Sequence, residues 1–255
     1  MSSRENLSRA SVRARQAVRE LKARLFPGDP YADLDAGFAA VRGRMADFTM
    51  TSVERQYALW KAVGHIESAG ISGDVVECGV WRGGSSMLVA LTLADLGAAP
   101  RDLWLFDTFS GMSPPGEFDL DPAGRPMTEQ WHRHEGRVHD PVFAYCSLDE
   151  VRRNMASTGY PEQNIRLVPG PVEKTIPDQA PDRIALLRLD TDWYRSTRHE
   201  LEQLWPRLSP GGVLVIDDYG HWAGARKAVD EYFAGRSDAP LLNRVDYSGR
   251  IAVKA

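Results

Sequence analysis

From residue 73 to the C-terminus, short apolar runs alternate with segments of helical spacing. Gly73–Val80, Leu103–Phe106, Asn164–Val168, Arg183–Leu189 and Val213–Ile216 are four to eight residues long and bounded by glycine, proline or acids. That length and composition predict buried strands. Ser85–Leu96, Leu148–Ser157, Tyr194–Leu208 and the segment 220–233 space their apolar residues for one helical face. Strand and helix in alternation predict an α/β domain with a mostly parallel sheet. At the end, Leu241–Tyr247, a Ser248–Gly249 turn and Arg250–Ala255 read as a hairpin, which makes the last strand antiparallel.

Upstream the pattern is helical. Residues 1–30 carry Leu7, Ala14, Val18, Leu21 and Leu25 among arginines, an amphipathic helix or arm that ends at Pro27–Pro30. Residues 31–70 predict a helical cap of two helices broken at Thr49–Ser52, where Thr51 or Ser52 caps the second. Residues 108–146 show no strong period, and glycine and proline keep their first part irregular. They nevertheless hold Met112, Phe118, Met127, Trp131 and Phe143 with three histidines, which predicts a lid over the active site rather than a linker. Ser147 then caps the next helix, with Glu150 closing a capping box.

Composition narrows the partners. The chain has 255 residues and a net charge of -4, so no cationic footprint for nucleic acid is present. No apolar run reaches ~18 residues, so no membrane helix is expected. Two distant cysteines and the lack of a signal peptide point to the cytoplasm.

The chemistry sits where strands end. GDVVECGV runs into WRGGSS and a helix, a strand–glycine turn–helix unit. Gly79, Gly83 and Gly84 allow close backbone approach, and the helix N-terminus offers free N–H groups. The spacing is not G-x-G-x-x-G, which argues against a dehydrogenase. It suits a ligand with a carboxylate, while Glu77 can meet a cationic group. S-adenosylmethionine (SAM) carries both. Asp107 closes the second strand, where such folds hold ribose hydroxyls. Asp190 and Asp192 follow the fourth strand, and Asp217 and Asp218 the fifth. On a regular strand Asp190 and Asp192 would share a face, their Cα atoms ~6.6 Å apart. Four carboxylates at neighbouring strand ends need a counter-charge, and Mg²⁺ is the simplest.

VVECGVWRGGSS, LFDTFSGM, LRLDTDWY, LSPGGVLVIDDYGHW and ARKAVDEY together resemble the macrocin O-methyltransferase family. The resemblance implies the class I SAM-methyltransferase fold, a Rossmann-like seven-stranded sheet with an antiparallel last strand. It would occupy residues 71–255, with N-terminal helices and the lid insert at 108–146. It further implies O-methylation of a sugar hydroxyl, in a deoxysugar or glycoside of antibiotic biosynthesis, and a homodimer or higher oligomer. By motif, Asp190, Asp217 and Asp218 would hold Mg²⁺ and Asp192 would be the general base. Glu77, Gly79, Asp107 and Ser110 would line the SAM site, a set extended here to Ser85, Ser86, Ser147 and Gly170. His221 is an alternative base. The competing readings are a catechol-type O-methyltransferase and a non-catalytic SAM-binding module.

Overall fold

The computed structural model describes residues 31–134 and 144–255. The arm at 1–30 and the lid stretch with His139 and Phe143 lie outside the described residues. The chain divides into two compact units, residues 1–39 and 40–255, and among the described residues every strand belongs to the second. In chain order the elements are α1 (Ala36–Met45), α2 (Val53–Ser68), β1 (Asp74–Cys78), α3 (Gly84–Asp95), β2 (Leu103–Asp107), α4 (Met127–His134) and α5 (Leu148–Ala156). Then come β3 (Ile165–Pro169), α6 (Val172–Thr175), β4 (Ile184–Leu189), α7 (Tyr194–Leu204), β5 (Leu208–Ile216), α8 (Ala223–Phe233), β6 (Asn243–Arg244) and β7 (Arg250–Val253).

The strands form one seven-stranded sheet in the order β3-β2-β1-β4-β5-β7-β6. β1 to β5 are parallel and β7 runs antiparallel to β5. The order reverses between β1 and β4, so their carboxyl ends open the crevice where α/β sheets bind ligands. Alternation along the strands divides the residues between two faces. Val76 and Cys78 of β1, Leu187 and Leu189 of β4, and Leu214 and Ile216 of β5 join one core cluster. Leu201 and Leu204 of α7, with Val229 and Phe233 of α8, complete it. The alternate positions face the other way. There Glu77 registers with Arg188, and Arg188 with Val215. All six residues of β4 are buried, so Arg188 is a guanidinium inside a strand.

Three details differ from the sequence reading. Ser147 caps α5, accepting from the Glu150 N–H at 3.3 Å, but the Glu150 carboxylate turns to Arg82 Nε at 2.9 Å instead of closing the capping box. β4 ends at Leu189, so Asp190 and Asp192 lie beyond the strand, and Asp192 adopts φ 68°. The strand spacing expected for that pair therefore does not apply. The insert after β2 is also more ordered than its composition suggested. Asp119 is buried and its carboxylate accepts from the Tyr194 N–H at 2.8 Å, capping α7 from the insert. Trp193 Nε1 donates to the Ser113 carbonyl at 2.7 Å. Polar side chains, rather than an apolar period, anchor this stretch, which is why hydrophobic spacing missed it. Among the described residues no helix is long and apolar enough to cross a membrane.

Candidate active site

A cavity of about 980 Å³ opens at the carboxyl edge of the sheet. Gly79, Ser85, Asp107 and Gly170 line it, and so do Asp190, Asp192, Asp217 and Asp218. Glu77, Ser86, Ser110 and Ser147 are not among its described lining residues. Glu77 is buried beneath the floor, where it accepts from Ser86 Oγ and from Arg188 Nη1, the latter at 2.6 Å. Ser147 is spent on its helix cap. Ser110 is exposed on the loop after β2.

The glycine-turn side is shaped by backbone. β1 exits through Gly79 at φ 83°, and a Cβ there would fall 1.9 Å from the Asp190 carbonyl oxygen. Only glycine permits that approach. Asp107 holds the turn together. Its Oδ2 accepts from the N–H groups of Val80 at 2.7 Å and Trp81 at 3.0 Å, and its Oδ1 from Phe109 N–H at 2.8 Å. Trp81 and Phe109 both have positive φ, 48° and 52°. The carboxylate at the expected ribose position thus also restrains two unfavourable backbone turns.

The acid side is shaped by charge. Asp190 N–H bonds to the Cys78 carbonyl at 2.8 Å and Asp217 N–H to the Leu189 carbonyl at 2.9 Å, so both acids leave adjacent strands at the same level. Arg188 reaches up between them, with Nη2 at 2.8 Å from Asp190 and 3.0 Å from Asp217. Arg55, in the first turn of α2, pairs with the other oxygen of Asp217 and, through Nε at 3.0 Å, with Asp246. Ser52, which caps α2, also donates to Asp246 at 2.7 Å. Asp217 and Asp218, which by motif would share one cation, turn to different partners. Asp217 faces the two arginines with 4% of its side chain exposed, while Asp190 keeps 27%. Asp218 turns to Asp190 and Asp192. One carboxylate oxygen from each of these three acids lies within 4.8 Å of the others.

Crowding shows in their ionisation. Burial, with repulsion from Asp217 and Asp218, holds Asp190 well above the usual carboxylate range against the pull of Arg188. Burial and the neighbouring Asp192 and Asp217 do the same to Asp218. Burial pushes Asp192 up to about 7, with Asp190 adding to the rise and hydrogen bonds with Asp218 and then Trp222 opposing it. Asp218 Oδ2 is buried and receives no hydrogen bond among the described residues. Carboxylate oxygens this close, one of them without a hydrogen bond among the described residues, fit the donor chemistry of a hard divalent cation.

Sequence reasoning missed Arg188, Arg55 and Trp222. A charged residue inside the apolar run IALLRL was a legible signal for Arg188. Nothing local marks Arg55 or Trp222. His221, the alternative base, sits at the mouth, its Nδ1 3.1 Å from the Tyr247 hydroxyl and its ring edge-on to Trp222. Burial, then the nearby Arg55 charge, lowers its pKa.

Comparison with known proteins agrees with this geometry. The sequence matches the Macrocin-O-methyltransferase (TylF) family over residues 38–252. It is 37% identical over 201 residues to the 8-demethyl-8-(2,3-dimethoxy-α-L-rhamnosyl)-tetracenomycin-C 4'-O-methyltransferase of Streptomyces olivaceus, covering 79% of this chain and 73% of that protein. It is 35% identical to the mycinamicin III 3''-O-methyltransferase of Micromonospora griseorubida, covering 79% and 76%. Among solved structures it resembles the O-methyltransferase NovP, with a TM-score of 0.71, 33% identity and 82% of each chain covered. The chain belongs to the macrocin O-methyltransferase (TylF) family.

Proposed function

We propose that this enzyme moves the methyl group of S-adenosylmethionine onto a sugar hydroxyl, in a deoxysugar or glycoside of natural-product biosynthesis, with the help of Mg²⁺. The observation that carries the reading is the meeting of Asp190, Asp192 and Asp218 within 4.8 Å, in the same cavity as the Gly79 turn. The tetracenomycin relative is named for O-methylating a rhamnosyl-bearing compound, which supports a sugar as acceptor.

Asp190 and Asp218 would hold the cation, and by motif Asp217 would join them. In the structure Asp217 is paired with Arg55 and Arg188, so its ligation entails release of one guanidinium. When bound, Mg²⁺ supplies Lewis-acid stabilisation of charge developing on the acceptor oxygen, a contribution of several kcal/mol. Asp192 takes the hydroxyl proton. General-base help of this kind is typically worth ~10²–10⁴-fold. Gly79 and the start of α3 carry the donor's polar end, so that oxygen, methyl carbon and sulfur lie in line.

The test is turnover of p-nitrophenyl glycosides of 6-deoxyhexoses with labelled S-adenosylmethionine. EDTA is expected to stop methyl transfer and added Mg²⁺ to restore it. Full activity in EDTA would remove the cation from the scheme.

A further inference from the structure

Trp222 stands at the N-cap of α8, on the cavity wall. Its indole N–H donates to Asp192 Oδ1 at 2.8 Å. The ring is braced on two sides. Trp193 meets it edge-on with centroids 5.3 Å apart, and His221 does so at 4.5 Å. Trp193 is itself locked, 3% exposed and bonded to the Ser113 carbonyl. His221 is held in turn by Tyr247. The indole donor is therefore fixed by packing, independently of the acid that it serves.

Asp192 needs such a donor. Its backbone sits at φ 68°, outside any regular element. Its carboxylate lies beside Asp190 and Asp218, and like charges at that range push apart. A hydrogen bond to an ionised oxygen is among the stronger neutral-donor bonds, and it orients as well as stabilises. We propose that Trp222 is a positioning residue for the methyl-transfer reaction. It pins the Asp192 carboxylate through Oδ1 and so fixes the direction from which the carboxylate, also bonded to Asp218, receives the acceptor's proton. This rests on the reading of Asp192 as the base.

The experiment uses the full chain with Trp222→Phe and with β-(3-benzothienyl)alanine at position 222, which keeps the bicyclic shape and lacks the N–H. In ¹⁵N-indole-labelled protein the Trp222 resonance, assigned by its loss in Trp222→Phe, is expected downfield and moves upfield in Asp192→Ala. With p-nitrophenyl α-L-rhamnoside, both position-222 variants are expected to lower kcat about ten-fold. The KM values and Mn²⁺ affinity should stay within about two-fold. On an Asp192→Asn background the same changes should cost less than about two-fold more. The proposal fails if the indole resonance ignores Asp192→Ala. It fails if acceptor KM rises while kcat holds, which would make Trp222 a substrate wall. It fails also if Mn²⁺ affinity falls along with kcat. Should Trp222→Phe not fold, the isosteric analogue decides, and the resonance needs no acceptor. If Asp192→Asn keeps near-normal kcat while the resonance still answers to Asp192→Ala, the base assignment is wrong and the indole contact stands.

Discussion

The two sides of the cavity are built from different materials. On the glycine-turn side the working surface is backbone. Gly79 supplies closeness, α3 supplies N–H groups, and the Asp107 side chain restrains the turns. On the acid side the working surface is charge. Asp190, Asp192, Asp217 and Asp218 crowd together, balanced by Arg188 and Arg55. A backbone site keeps its shape as long as the one side chain that restrains it, here Asp107, stays in place. A charged, buried site has no such single restraint, because each ion relies on the others for its compensation. Damage should therefore separate. Changes among the acids alter chemistry and stability, and changes at the turn alter cofactor binding.

The sharpest separation is expected from Asp192→Asn. It should lower kcat by about 10²–10⁴ while S-adenosylhomocysteine binding, followed by calorimetry, stays unchanged. Loss of cofactor affinity in that variant would break the division between the two sides. Next comes Arg188→Met. It strands Glu77 and Asp190 and leaves Asp217 with Arg55 alone. Removing one partner of a buried ion set costs about 3–5 kcal/mol, readable as a shift of the urea midpoint. Gly79→Ala is the converse case, at a point where the two sides touch. Its Cβ would collide with the Asp190 carbonyl and its φ is positive. Stability should fall by about 1–3 kcal/mol, with S-adenosylhomocysteine affinity reduced more than about ten-fold.

A smaller effect tests the support behind the acids. Glu200 of α7 is fully buried, and its Oε1 accepts from Thr191, the residue between Asp190 and Asp192. Its Oε2 has no partner among the described residues. Burial raises its pKa from 4.5 to about 8. Below pH 4.5 both folded and unfolded chains hold this proton, and the group's stabilising contribution is fully present. Between 4.5 and 8 only the folded chain holds it, so stability falls as pH rises, then levels off above the folded pKa. Glu200→Gln removes that slope. Against wild type it should gain relative stability between pH 5 and pH 8, on the order of a few kcal/mol, measured by urea unfolding at both values. A constant difference across that window would mean that Glu200 is ionised in the fold.

The sheet was legible because its evidence is local. Each strand is a short apolar run with its own stop signal, and the alternation of strands and helices leaves few topologies open. The acids were legible as strand-end residues for the same reason. Their division of labour was not. Asp190 and Asp192 suggested a shared strand face, yet β4 stops at Leu189 and a left-handed turn re-aims Asp192. The insert after β2 was read as irregular, whereas Asp119 and Trp193 anchor it through hydrogen bonds to partners 75 and 80 residues away in sequence.

By itself, then, the amino-acid sequence determined the alternation of elements, the glycine turn, and the placing of four carboxylates just beyond two strands. Periodicity and composition act over a few residues, so a linear reading reaches that far. Tertiary structure decided which acids meet. Arg55 comes to Asp217 from 162 positions away, and Trp222 comes to Asp192 from 30. A carboxylate is steered by whatever cation or donor packs against it, and that neighbour is chosen by the folding of distant segments.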